Sequence, residues 1–418
     1  VGVVRSAPGI KCYLTACQAI DQEYTTLAYP AAICMDCQAA EITDDESSVQ
    51  TPEKSDVDQM REKIFKDKEP VPMIQDEDTT VEEDSPTYSQ DSQEYMHWHY
   101  RLNHPTHTVM LKMAKQKMLP RRITKILTDM GKLGTKAPMC NDCCGAKATR
   151  RPWRGKESRH KQSHLKRPTH PGEVVSVDQL ESSVPGFIGQ MTGRLTKQRI
   201  VGSTIFVDHA SDLSYVYHQT SMTSEETLKS KLAFERYALS HGVHIKHYHA
   251  DNGRFKDTLF TRDIEEKGQT ISYCGVGAHH QNGIAEKRIG DLQRRATTLL
   301  LHAQRRWPDA INSHLWTYAI RAANDGRNNA PTRNNDECPI SRFCQTERVP
   351  AIQHQHHFGC PVYVLQREIQ NGRKARKWQD RTRIGINLGY SSRHAHSVSL
   401  VLSLQTGLVS PQFHCSYD

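Results

Sequence analysis

The sequence predicts an α/β protein: a mixed-sheet core, a small helical unit before it and a small β module after it. Three observations carry this expectation. Strand-length apolar runs alternate with helical ones between residues 170 and 330. The stretch "HTVMLKMAKQKML" (107–119) sets apolar residues at helical spacing. From residue 355 onward, short β-branched runs are broken by frequent turns.

In chain order, residues 1–96 read as an acidic, largely disordered leader, with acids mixed among Ser, Thr, Pro and Gln and little apolar periodicity. "CMDC" (Cys34, Cys37), with Cys12 and Cys17 upstream, has no His or Cys following at finger spacing and reads as a chance cluster. Residues 97–152 form the helical unit, closing in the basic tail "CNDCCGAKATRRPWR". A polar, basic connector follows, whose histidines (His160, His164, His170) read as exposed linker.

The core, 170–330, opens with strands at 173–180 ("EVVSVDQL") and 199–208 ("RIVGSTIFVD"), joined by the Gly-rich hairpin "PGFIGQMTGR", and a third at 213–219. Ser224 as cap, acids in the first turn and Gly242 beyond the end place a helix over 224–240. A fourth strand, "VHIKHYHA", ends at Asp251; then come a short helix, a strand at "TISYC", and long helices at about 283–305 and 308–325. Three antiparallel strands, a crossover helix and a parallel strand, with helices on both faces, is the order of a ribonuclease H-like fold. Beyond the connector 326–340, residues 355–418 read as a small β-barrel.

The formal charge of +8 hides an asymmetry. Residues 41–96 hold 18 acidic against 5 basic side chains, a net of −13, while 97–418 carry +22. A body this basic suits a polyanion such as nucleic acid, though a solvated surface without a partner would have the same composition. No apolar run approaches the ~20 residues that span a bilayer, and no signal peptide is visible, so the expectation is a soluble, intracellular protein. Twelve cysteines then suit metal ligands and free thiols better than disulfides. Val1 in place of Met and the stop at "PQFHCSYD" are those expected of a piece of a longer product.

Two residue sets could carry chemistry. His99 and His104, followed by Cys140 and Cys143, supply two imidazoles and two thiolates, a closed Zn²⁺ site able to staple a unit with little core of its own. Cys144 and His97 are rivals for these roles. Asp178 lies within an apolar strand, Asp251 where the fourth strand ends, and Glu286 near a helix start. Adjacent strands and a helix packed across them would bring the three carboxylates together as ligands for Mg²⁺ (or Mn²⁺). Each has an ordinary alternative: an edge-strand acid, a turn residue, a helix-dipole partner. Asp208 and Asp257 read as structural or peripheral. Lys287, Arg288, Arg294 and Arg295 continue the helix after Glu286 and could grip phosphates; Asn282-Gly283 serves as the hinge into it, with Asn282 a further DNA contact.

These motifs resemble the integrase region of copia-type retrotransposon polyproteins. "WHYRLNHP" (98–105) and "CNDCCGAKATR" look like the halves of that family's HHCC pre-integrase zinc motif. "HADNGRF" (249–255) and "HHQNGIAEKRI" (279–289) look like the segments around its second and third catalytic acids, and "KWQDRTRIGINLGYSSRHAHSVSLVLSLQTGLVSPQFH" resembles its SH3-like module. The likeness covers about 97–418. It implies that Asp178, Asp251 and Glu286 are catalytic metal ligands and that His99, His104, Cys140 and Cys143 hold zinc. The implied enzyme is a Mg-dependent polynucleotidyl transferase, which joins element DNA ends to target DNA by strand transfer as a homo-multimer. It would act in the nucleus, after a cytoplasmic particle stage. Asn103 stands where the family commonly has Gly, and the hairpin after Asp178 is enlarged. The alternatives are a catalytically inactive or domesticated nucleic-acid-binding remnant and a ribonuclease H, which shares fold and metals but has no use for the zinc unit.

Overall fold

The computed structural model describes residues 89–148, 168–189, 196–251, 253–274, 282–350, 352, 355–374, 377–395 and 397–418. Residues 1–88 with their four cysteines, most of the connector and the middle of the enlarged hairpin lie outside them.

The chain is a mixed α/β protein. Its helical unit starts at α1 (Gln90–Arg101), inside the stretch expected as the end of the leader. Ser89 caps the helix by accepting the Ser92 N–H, and Tyr95 and Met96 are buried. α2 (His107–Lys115), α3 (Arg121–Leu133) and α4 (Asn141–Lys147) complete it, with Gly134 closing α3 at a φ of 65°. Met110, Met113, Ile123 and Leu127 fill the centre, joined by Ile352 from far along the chain.

The first sheet contains β1 (Val175–Gly186), β2 (Ile200–Asp208), β3 (Ser214–Gln219), β4 (His247–Ala250) and β5 (Thr270–Tyr273), in the order β3-β2-β1-β4-β5. The first three pair antiparallel, and β4 and β5 lie parallel to β1. This is the strand order expected from the sequence. The crossover helix α5 (Ser224–Ser240) has the expected span, but its capping oxygen belongs to Thr223, which accepts from the Glu226 N–H. α6 (Thr258–Glu266) precedes β5. Side chains of the sheet alternate as its pleat demands. Val175, Val177 and Phe206 face a cluster with α5 and α6. Leu180, Ile205 and Val207 face α7 (Gly283–Arg306) and α8 (Trp316–Asn328).

α8 starts at Trp316, eight residues later than the periodicity suggests. Asn312 accepts the His314 N–H and sets a single 3₁₀ turn at Ser313–Leu315, which delays the helix. After α9 (Pro339–Phe343) the chain forms β6 (Pro361–Leu365), β7 (Thr382–Tyr390), β8 (Ser399–Ser403), β9 (Val409–Gln412) and β10 (Cys415–Tyr417). These make a five-stranded antiparallel sheet, β10-β6-β7-β8-β9. Among the described residues, β9 and β10 are its edge strands. One face is covered by α7 and α8, with Ile386, Leu388, Leu400 and Leu402 in the same cluster as Ala296, Leu299 and Ala319, while Val362, Val364 and Val401 pack with Cys415 and Tyr417 in a separate cluster. The two long helices are thus held between two sheets. Among the described residues no helix is long and apolar enough to cross a membrane.

Candidate metal centre and acid site

The four His and Cys residues expected to bind zinc come together, and the end of α1 explains how. Asn103 sits at a φ of 61° and donates its N–H to the Tyr100 carbonyl, while the His104 N–H bonds to the His99 carbonyl at 2.8 Å. This double return is the Schellman pattern, and it sets His99 and His104 side by side. Asn is one of the few residues besides Gly that tolerates the left-handed conformation, which explains its presence here. Asn103 also accepts the Phe358 N–H, tying the turn to the chain leading into the second sheet. Cys140 caps α4 and Cys143 lies in its first turn.

The His99 Nε2 to Cys143 Sγ distance is 3.4 Å, and His104 Nδ1 is 3.5 Å from both sulfurs; all four atoms lie within 4.8 Å of one another. A tetrahedral zinc ion with bonds of about 2.0–2.1 Å to N and 2.3 Å to S would hold N and S about 3.6 Å apart, so the donor set and its spacing fit that ion. Burial, then His99 and His302, keep the His104 imidazole well below its ordinary range and therefore neutral, as a ligand must be. The hydrogen bond between the thiols lowers Cys143 to about 7 and raises Cys140 to about 12. The rivals His97 and Cys144 are both exposed and stand outside the quartet.

The acids are assembled by the sheet. Val177 pairs with Ala250, so Asp178, inside β1, and Asp251, just past the end of β4, follow that pair on neighbouring parallel strands. Asn282 is buried and donates Nδ2–H to the Val177 carbonyl at 3.0 Å, which lays the start of α7, and Glu286 in its first turn, against that point. Cys274 continues β5 beside them. Burial first, and then the negative fields of Asp251, Glu286 and Asp178, push its thiol above the ordinary range. The fields of all three carboxylates thus reach one buried sulfur. Among the described residues only the His/Cys quartet closes to single-ion spacing; the three acids do not. A pair of ions ~3.5–4 Å apart would need that wider opening, and hard oxygen donors suit Mg²⁺.

Other groups near the acids were not singled out from the sequence. His249 contacts the Cys274 Sγ at 3.6 Å and Ser272 Oγ at 2.9 Å, and His247 shares the same serine at 2.8 Å. The period-2 pattern in "HIKHYHA" places both on the strand face of Asp251 and could have revealed them. Arg254 pairs with Glu181 at 2.5 Å and donates to Gln179 at 3.2 Å.

The basic residues of α7 divide. Lys287 and Arg294 are exposed, and Arg295 is half-buried and paired with Asp291 at 2.9 Å. Arg288 does not reach an open surface: it is 6% exposed and bonded to Asp212 at 2.5 Å, with burial lowering its guanidinium to about 10. Asn282, at 1% exposure, is likewise a strap between α7 and β1 and not a surface contact. The decoys are structural. Asp208 accepts from Gly172, Ser211 N–H and Ser211 hydroxyl, and Asp257 caps α6.

Residues 75–148 match the family model described as the GAG-pre-integrase domain, a stretch that takes in the helical unit. No curated protein matches. Among solved structures, the chain is similar to a simian T-cell lymphotropic virus intasome, at 16% identity over 61% of this chain and 81% of that one, with a TM-score of 0.33. It is also similar to the HTLV-2 integrase catalytic core domain in complex with magnesium (18% identity, 42% and 97% coverage, TM-score 0.30). For the BIV integrase catalytic core domain the values are 15% identity, 42% and 95% coverage and a TM-score of 0.29.

Proposed function

We propose that this chain is the integrase region of a copia-type retrotransposon polyprotein: a zinc-stapled pre-integrase unit, 97–152, ahead of a polynucleotidyl transferase core, 170–330. The observation that supports the reading is the placement of Asp178 on β1, Asp251 just past the end of β4 and Glu286 in the first turn of α7, a helix whose start is bonded to Val177 of β1. The match of residues 75–148 to a pre-integrase domain supports it independently.

In this reading the three carboxylates hold Mg²⁺ (or Mn²⁺), which when bound supplies Lewis-acid stabilisation of charge at an in-line phosphoryl transfer. The chain's own residues do the rest. β1 and β4 fix two of the acids on a rigid sheet, Asn282 locates the helix that brings the third, and exposed Lys287 and Arg294 meet the DNA backbone. The nucleophile is a DNA 3′-hydroxyl; its oxygen bonds to the target phosphorus as the P–O bond to the neighbouring 3′-oxygen breaks. Element ends and target DNA are the partners, with the protein multimeric on DNA and nuclear when it acts.

A joining assay with short duplexes mimicking element ends, comparing this chain with Glu286→Gln, tests the proposal. Joining by the parent and background in the variant are expected. Equal background in both would favour the inactive DNA-binding remnant, and cleavage of RNA–DNA hybrids without joining would favour a ribonuclease H.

A further inference from the structure

The turn between β2 and β3 contains an aspartate, Asp212, whose N–H closes the turn on the Asp208 carbonyl at 2.9 Å and whose side chain is turned outward from it. Asp212 adopts a φ of 65°, a region that a residue with a side chain enters at a cost. That conformation turns its carboxylate and its carbonyl toward the same two guanidinium groups. Arg288 of α7 bonds Oδ1 at 2.5 Å and the carbonyl at 3.1 Å. Arg327 of α8 bonds Oδ2 at 2.5 Å and the carbonyl at 2.8 Å. Four charge-assisted bonds converge on one residue, and the side chains of both arginines are largely buried.

Arg288 follows Glu286 by two positions, about 200° around the helix. The two side chains leave α7 on opposite sides, so a group that holds Arg288 also sets the direction of Glu286. Asn282, four residues before Glu286, pins the helix start to β1. It fixes where α7 begins; rotation about its axis is set along its length by the buried face of Leu292, Ala296 and Leu299 and, at the first turns, by what holds Arg288. A rotation of about 20° moves a side-chain tip some 5–6 Å from the axis by about 2 Å. That is the full length of a Mg–O bond, about 2.0–2.1 Å.

We infer that Asp212 is a positioning residue: with Arg327 behind it, it sets the rotation of α7 and thereby the place of Glu286 among the acids. The inference rests on the integrase reading for its consequence, but the clamp can be tested apart from it. The test variants are Asp212→Asn, which removes the charge and keeps the shape, and Arg327→Gln, which leaves the Arg288–Asp212 pair and serves if the first does not fold. Arg342→Gln is the control: Arg342 holds the Ala210 and Ser211 carbonyls of the same turn from α9 and does not bond α7.

Three readouts are used on zinc-loaded protein. Hydrogen exchange at 283–290 should rise about ten-fold in Asp212→Asn, by less in Arg327→Gln, and stay at the parent level in Arg342→Gln. Mn²⁺ affinity by calorimetry should fall about ten-fold or more in Asp212→Asn and stay within about two-fold in the control, the loss expected of an outer partner of a metal ligand. In joining, kcat should fall while KM for DNA holds. Unchanged exchange in both clamp variants, or equal changes in Asp212→Asn and Arg342→Gln, would overturn the clamp. If exchange rises as expected but the parent shows no Mn²⁺ binding that depends on Asp178, Asp251 and Glu286, the clamp stands and the integrase reading fails.

Discussion

Taking metal from the His99, His104, Cys140 and Cys143 site should melt the helical unit ahead of the sheet core. The unit is small, and the end of α1 and the start of α4 meet through these four side chains at 3.4–3.5 Å. At free zinc about 1,000-fold above Kd, an ion that binds only the folded state stabilises it by about 4.1 kcal/mol. A domain of 60–100 residues shifts by roughly 4–8 °C per kcal/mol, so chelation should lower the first melting transition by roughly 16–33 °C. The effect should spread to α7, because Asp142 of α4 is buried against Arg305 at 3.0 Å and against His302 at 3.3 Å. Scanning calorimetry with and without a chelator measures the shift, and hydrogen exchange locates it to 90–147 and the last turn of α7. Cys143→Ser should reproduce the shift and make further chelation silent. Equal melting of the parent with and without chelator, or a chelator effect that persists undiminished in Cys143→Ser, would refute the reasoning.

Two further outcomes follow from charged groups. Lys231 has no exposed side-chain surface and bonds Glu235 at 2.7 Å, Gln269 at 2.8 Å and Asp263. Lys231→Met should cost about 3–5 kcal/mol in urea unfolding, because two carboxylates then share a single cation, Lys267; a loss below about 1 kcal/mol would show the network to be dispensable. Burial alone would raise Glu235 and Asp263, yet hydrogen bonds from Lys231 and Lys267 outweigh it and hold both below their ordinary values. Their stabilisation is therefore present above the unfolded values of about 4.3 and 3.9, and it is lost as pH falls through the lower folded ones. The variant should flatten that acid limb. On DNA, Lys287→Ala should reduce the slope of log K against log salt by about 0.9, the share of one phosphate contact. Arg288→Ala should leave the slope unchanged while lowering stability, and equal slope changes in the two would show that Arg288 reaches DNA after all.

What was legible in the sequence was what short-range patterns determine. Val175, Val177, Phe206 and Val207 announce strands because a pleated strand between two helical layers needs apolar side chains on both faces. α5 shows its ends because caps and helix-stopping glycines are local chemistry. The His/Cys quartet is recognisable because His99 and His104 are spaced by a helix-ending turn and Cys140 and Cys143 by a helix start. The side-chain partners of Asn282 and Arg288 were not legible. A polar residue at a helix start or on a basic helix reads as a surface group until the tertiary fold supplies Val177 at 105 positions' distance and Asp212 at 76. Strand periodicity likewise records that a face is apolar but not what covers it, and for one face of the second sheet the cover is α7 and α8.

The same helix explains why the acid site and the metal centre belong to one molecule. Glu286 lies in the first turn of α7, while His302 and Arg305 near its other end receive Asp142 from the helix that carries Cys143. Sixteen residues separate Glu286 from His302, about 24 Å at 1.5 Å per residue, and a helix packed between two sheets over that length moves as a rod. A disturbance at the Cys140 end can then reach Glu286 without any direct contact between the two sites. The Asp212 clamp near the first turn, with its two buried arginines, and the buried Asp142 contact near the last act on one rigid element, so loss of either should misplace the same carboxylate.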